Sequence, residues 1–168
     1  LLMQNIPEGI RLITEAADSS SAPAQYLMGK LLYQGQVIPQ DLKKAIDYLE
    51  RAADQKNPYA AYLAGKILIT EESVKEVLRA IKNFEIAAEN GNDFAEYQLS
   101  RLYLCGKEVE RDYEKAIAYL TSAAEHGNIY ARQLLHSMKS NRNWSAALGS
   151  LPLLKHLTPL LQNRLEDD

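Results

Sequence analysis

The residue types that most often carry out chemistry are sparse in this chain. Its histidines are His126, His136 and His156, and Cys105 is its single cysteine. No histidine belongs to a His-Glu-x-x-His or His-x-x-Glu-His pattern, and Cys105 has no CxxC partner, so the spacing assembles neither a zinc site nor a redox motif. A phosphate-binding Gly-Lys-Ser/Thr loop is also absent. Glu71, Glu72, Glu108, Glu110 and the terminal Glu166-Asp167-Asp168 fall in expected loops and ends, where carboxylates are solvated. The segment is therefore read as non-enzymatic, with no cofactor and no metal. What the spacing does supply is recognition chemistry. Tyr26 and Lys30, Tyr62 and Lys66, and Tyr97 and Arg101 are each four residues apart, which puts ring and cation on one face of a helix.

Those pairs recur because the chain repeats. Ala24, Ala60, Ala95 and Ala131 open similar segments spaced 36, 35 and 36 residues apart, and Lys44-Ala45-Ile46, Arg79-Ala80-Ile81 and Lys115-Ala116-Ile117 open a second block on the same period. Each unit reads as two helices. Ala24, Leu27, Met28, Leu31 and Leu32 form the apolar stripe of the first, and Ala45, Ile46, Leu49, Ala52 and Ala53 that of the second. Asp41 and Asp112 stand as N-caps of second helices, and Gly91 and Gly127 as left-handed residues that end them. A glycine inside a helix costs about 1 kcal/mol relative to alanine, so Gly29 and Gly65 are read as points of close helix packing. Lys56, in the slot of Gly91 and Gly127, is expected to form a strained C-cap. Glu71 replaces the loop glycines Gly35 and Gly106 in a unit one residue shorter, so that turn must close differently, with Ser73 and Glu76 as a capping box.

With Ala24-Gln25-Tyr26, Gly29 and Gly35, then Asp41 and Lys44-Ala45, the Ala52-Ala53 pair and the Gly91-Asn92 and Gly127-Asn128 dipeptides, the sequence resembles the Sel1-like repeat, a relative of the tetratricopeptide repeat. The resemblance covers residues 1 to about 139. It implies an all-α fold, a right-handed α-α superhelix or solenoid of antiparallel two-helix repeats, and a non-catalytic adaptor or scaffold, with a bacterial source. The expected organisation is a second helix of a truncated repeat (1–22), repeats at 23–58, 59–93 and 94–129, and a last repeat helix with a Leu-rich C-terminal segment (130–168).

Both ends depart from the pattern. Ile10, Ile13, Ala16 and Ala17 align with Ile46, Leu49, Ala52 and Ala53, so the chain is expected to open in mid-repeat, with Asn5 and Glu8 capping an orphan helix whose apolar residues are partly uncovered. A missing upstream part or a second chain would cover them. His136 takes the slot of Gly29 and Gly65. The tail beyond it, with Leu148, Leu151, Leu153, Leu154, Leu157, Leu160, Leu161 and Leu165, reads as two short helices that either cap the last repeat or serve docking or dimerisation.

Composition bounds the partners. The 168 residues carry 19 Lys and Arg against 22 Asp and Glu, a net charge of −3, with 46% apolar and 24% charged residues. This excludes a disordered tail and disfavours nucleic acid as partner. No uncharged run approaches the roughly 20 residues that a membrane helix needs. The start lacks the basic and apolar regions of a signal peptide, and one cysteine allows no intrachain disulfide, so a cytoplasmic setting is favoured.

The expected partner surface is a concave groove lined by the first helices: Tyr26, Lys30, Tyr33, Tyr59, Tyr62, Lys66, Phe94, Tyr97, Arg101 and Tyr130. With adjacent first helices about 10 Å apart, a span of about 30 to 40 Å would hold about ten residues of extended peptide. An acidic or carboxylate-bearing peptide or protein segment suits the three cations. The tyrosines have a second reading, as packing residues between units, and the cations as ordinary solvated positions. A different class of function, the accessory C-terminal repeat region of a larger enzyme such as a bacterial plasmid-mobilisation relaxase, rests on a loose similarity of the last thirty residues.

Overall fold

In the computed structural model, residues 5–140 are described, without the side chains of residues 139 and 140. The Leu-rich tail and its two expected helices lie outside them, as do residues 1–4. Among the described residues the chain is all-α: α1 (Ile6–Asp18), α2 (Ala22–Gln34), α3 (Leu42–Asp54), α4 (Pro58–Thr70), α5 (Val77–Glu89), α6 (Asp93–Cys105), α7 (Tyr113–Glu125) and α8 (Ile129–Ser140), with a 3-10 turn at Glu72–Val74. The even-numbered helices are first helices and the odd-numbered ones second helices. The chain divides into two compact units, Leu1–Leu99 and Ser100–Asp168.

In the first unit α1 packs on α2, α2 on α3, α3 on α4 and α4 on α5, and α2 also touches α4 while α3 touches α5. The first helices thus form one layer and the second helices another. The core between them is built from many alanines, including Ala17, Ala45, Ala52, Ala60, Ala61, Ala64, Ala80 and Ala87, around the fully buried Leu49, Ile67, Leu68 and Phe84. Small residues set how near the helices come. A Cβ added to Gly29 would lie 2.6 Å from Leu49 Cγ and 3.0 Å from the Ala45 carbonyl oxygen, and one added to Gly65 would lie 2.8 Å from the Phe84 ring and 3.0 Å from the Ala80 carbonyl oxygen. Helical glycine at these two points is a packing requirement.

One joint recurs wherever a second helix hands over to a first. Ser20, Lys56, Gly91 and Gly127 all have positive φ, at 68°, 64°, 85° and 96°. The N–H of Lys56 donates to the Ala53 carbonyl (2.8 Å) and the next N–H, of Asn57, to the Ala52 carbonyl (3.1 Å), and the same two bonds form at Ser20-Ser21, Gly91-Asn92 and Gly127-Asn128. This pairing satisfies the last carbonyls of the helix. The asparagine then starts the following helix: Asn57 Oδ1 accepts from Tyr59 and Ala60, and Asn92 and Asn128 accept from Ala95 and Ala131. Lys56 therefore takes the left-handed conformation its slot implied, without glycine's freedom.

The opposite turns vary. Gly35 and Gly106, at φ 65° and 62°, close the first and third, and Asp41 and Asp112 accept from the N–H of Lys44 and Lys115 as N-caps. In the second, Glu71 stays extended (φ −95°) and the 3-10 turn spans the shortened loop. That turn absorbs Ser73, so the expected capping box does not form. Glu76 is the N-cap residue and makes no side-chain cap bond; its carboxylate pairs with Arg79 at 3.2 Å. The expected cap of α1 is likewise absent: Asn5 has helical angles (φ −93°, ψ −9°) rather than the extended ones of a cap and makes no side-chain cap bond, and Glu8 pairs with Arg11.

The second unit repeats the pattern, with α7 packed on α8 and Ala116, Ile117, Leu120, Ala123, Ala131, Leu135 and Met138 buried.

Candidate interaction surface

On α2 the solvent-facing stripe runs through Pro23, Leu27, Lys30 and Gln34, and on α4 through Tyr59, Lys66 and Thr70, beside the half-buried Leu63. Lys30 and Lys66 hold equivalent positions at its centre. Among the described residues neither has an ion-pair partner. Tyr26 and Tyr62, four residues before them, are half-buried along the edge of the stripe.

The aromatic residues fall into two groups. Tyr59 is 65% exposed, and Phe94 also stands in solvent. Tyr33 instead packs against the cluster of Ala17, Met28, Leu32 and Ala45. Tyr62 places its ring 6.0 Å from that of Phe84 and 6.3 Å from that of Phe94, both tilted. Tyr97 is half-buried. In the second unit Arg101 and Tyr130 are exposed, in the slots of Lys66 and Tyr59. Exposure also brings out a residue that pair spacing passed over: Leu27, 40% exposed on the Lys30 stripe, was assigned to the buried face. Its neighbour Met28, in the same stripe, is buried as expected, so Leu27 marks the edge of the stripe.

Between the second helices lies a different arrangement. The Arg79 guanidinium grips Glu50 through two bonds, 2.8 Å from Nε and 2.6 Å from Nη2, and Asn83 Nδ2 donates to the same carboxylate at 2.9 Å. Burial pushes the Glu50 carboxyl up, but the bonds from Arg79 and Asn83 outweigh it and hold it below the ordinary glutamate value. The same bond with Glu50 raises Arg79 further above its usual value. Beside it a cleft of about 490 Å³ is lined by Lys43, Ile46, Asp47, Glu72, Ser73, Val74, Lys75, Glu76 and Arg79. Its charges answer one another, with Lys75 on Glu72 at 3.3 Å and Arg79 on Glu76. Among the described residues no three His, Cys, Asp or Glu side chains converge as metal ligands, and no helix is long and apolar enough to cross a membrane. Cys105 is exposed at the end of α6.

Paired helices of nearly equal length, repeated with their joints, define an α-helical repeat protein. Residues 22–57, 58–92 and 93–128 each match the Sel1 repeat. The chain belongs to the Sel1 repeat family. Among solved structures it is similar to a protective antigen of uropathogenic Escherichia coli that displays an SLR fold (TM-score 0.71, 29% identity, covering 80% of this chain and 29% of that one). It is also similar to a Sel1 repeat protein from Oxalobacter formigenes (TM-score 0.66, 28% identity, covering 77% of this chain and 98% of that one). The chain thus spans less than a third of the antigen and nearly all of the Oxalobacter protein. No curated protein matches it. Sel1 repeats are commonly protein–protein interaction modules, and proteins built from them are generally non-catalytic scaffolds.

Proposed function

We propose that this protein is a non-catalytic scaffold that takes an extended, acidic segment of a protein partner along its first helices. The observation that carries the reading is the matched pair Lys30 and Lys66, exposed at equivalent positions of α2 and α4 with no carboxylate of the described residues to neutralise them. Leu27 and Tyr59 add apolar area to the same stripes, and Tyr26 and Tyr62 flank them. Rings of this kind lose little conformational entropy on ordering and are enriched where binding energy concentrates. Tyr33 and Tyr97 would shape the edge of the surface, and Phe94 and Tyr59 its exposed apolar contacts. Arg101 and Tyr130 offer the same chemistry on the second unit.

An array of ten-residue peptides of graded acidity, read by fluorescence anisotropy, tests the reading. The wild-type chain binds the acidic members, and Lys30→Glu with Lys66→Glu removes that binding while the helical signal is unchanged. Lys43→Glu with Lys82→Glu, on the second helices, makes the same net charge change and leaves binding in place. Equal loss in both variants, or in neither, would refute the assignment.

A further inference from the structure

We infer that Asn90-Gly91 is a self-modification site, held inert by the joint it forms between α5 and α6 and released to deamidate when that joint opens. These residues lie outside the proposed peptide surface. They form the only Asn-Gly dipeptide in the chain. At the other three joints the residue before the left-handed position is Ser19, Gln55 or His126. Serine and histidine carry no amide, and glutamine would have to close a larger ring against Lys56, whose side chain crowds the attacking nitrogen.

The chemistry needs only these two residues and water. A base in solution takes the proton of the Gly91 N–H, and the nitrogen attacks Asn90 Cγ. The N–Cγ bond forms, the Cγ–Nδ2 bond breaks, and the amide nitrogen leaves as ammonia. Water then opens the cyclic imide at either carbonyl, giving aspartate at position 90 or an isoaspartate in which the backbone runs through the side chain. Gly91 leaves the nitrogen unhindered: it is exposed, and nothing lies within 4 Å of its Cβ site.

The closed joint blocks each of these movements. The Gly91 N–H donates to the Ala88 carbonyl at 2.9 Å, so its proton is not offered to a base in solution. Asn90 Nδ2, the leaving nitrogen, donates to the Ile86 carbonyl at 2.8 Å, which draws the side chain back along α5. Asn90 sits at φ −100° and ψ 20°. At that ψ the Gly91 nitrogen is turned away from Cβ about the Cα–C bond, whereas ring closure needs the two nearly eclipsed. The Gly91 and Asn92 N–H groups, bonded to the Ala88 and Ala87 carbonyls, hold this ψ in place, so local opening frees every group together. An isoaspartyl link adds a backbone atom between position 90 and Asn92. The two bonds then cannot re-form in register, and the joint stays open.

The test ages the full chain in mildly alkaline buffer, folded and in urea, and reads conversion at Asn90 by peptide mapping with mass spectrometry. The unfolded chain should convert at least about tenfold faster than the folded one. Asn92→Ala removes the Asn92 Oδ1 cap on the Ala95 N–H (2.9 Å) without touching the reacting pair, and should speed conversion of the folded chain about fivefold. Asn57→Ala makes the matching loss at the preceding joint and should leave the folded rate near that of the wild type. In urea both variants should convert as the wild type does. The isoaspartyl chain, separated by chromatography, should melt below its parent. Equal rates in the folded and unfolded chain, or no conversion in either, would overturn the inference. Equal acceleration by the two cap variants would assign the reaction to global unfolding, and an isoaspartyl chain as stable as its parent would show that the joint closes again; each refutes it.

Discussion

Gly29 and Leu49 touch at the point where α2 crosses α3, with the site of a glycine Cβ 2.6 Å from Leu49 Cγ. Alanine is the better helix former by about 1 kcal/mol, yet here the Ala45 carbonyl oxygen, a backbone atom 3.0 Å from the same Cβ site, cannot swing aside as a side chain can. Overfilling a packed crossing costs about 1–3 kcal/mol. Gly29→Ala and Gly65→Ala should therefore each lower stability, by up to about 2 kcal/mol net. Gly9→Ala, with open space beside it, should raise it by about 0.5–1 kcal/mol. Urea unfolding of the three variants checks both signs.

Lys56 makes the opposite test. It holds a φ of 64° in the slot that Gly91 and Gly127 occupy at 85° and 96°. A left-handed conformation costs an L-residue about 1–2 kcal/mol, so Lys56→Gly should stabilise the chain by about 1 kcal/mol after glycine's greater freedom in the unfolded state is counted. Gly91→Ala should destabilise it by a similar amount. Nothing lies within 4 Å of a Cβ at Gly91, so that effect would be conformational alone.

The caps separate cleanly by geometry. Asp41→Ala and Asn57→Ala each remove an acceptor for free N–H groups at a helix start, and each should cost about 1 kcal/mol. Ser73→Ala should change stability little, because Ser73 sits in the 3-10 turn and caps nothing. A thermal melt of the three variants decides whether the cap of α5 has been placed correctly.

Glu50 ties stability to pH. Its carboxyl is held below the ordinary glutamate value near 4.5 by Arg79 and Asn83. A depressed folded-state value means that the contribution is fully present above about 4.5 and is lost as pH falls through the lower, folded value. Glu50→Gln should flatten the acid limb of the stability profile in that window, and Arg79→Met should do so as well. A profile of unchanged steepness in both variants would show that Glu50 is not what the acid attacks.

Much of this architecture is legible in residue spacing because each slot has a physical reason to be filled one way. The small residue at Gly29 and Gly65, the aspartate at Asp41 and Asp112 and the left-handed residue at Gly91 and Gly127 are demanded by local geometry, and local geometry repeats. The shortened turn after Thr70 was not legible in detail. The bond at its end, from the Glu76 N–H to the Leu68 carbonyl, recurs from Asp41 to Leu32 and from Asp112 to Tyr103; what differs is the 3-10 turn at Glu72–Val74, which no short-range pattern encodes. The candidate surface was legible as a set of i, i+4 pairs, but not the depth of each ring. Tyr33 and Tyr59 look alike in sequence. One leans on the Met28 cluster and the other stands in water, because burial is decided by the neighbouring helix.

The missing residue of the second unit leaves α4 and α5 at 13 residues each, the length of α2 and α3. The joint at Lys56-Asn57 is intact as well, so the whole deficit is taken up between Glu71 and Lys75. Changes of length thus have a preferred address. A peptide tag or a reporter loop grafted at Glu72–Val74 would lengthen a connection that has already varied, whereas the same graft at Lys56 would break two backbone bonds and shift the register of every helix that follows.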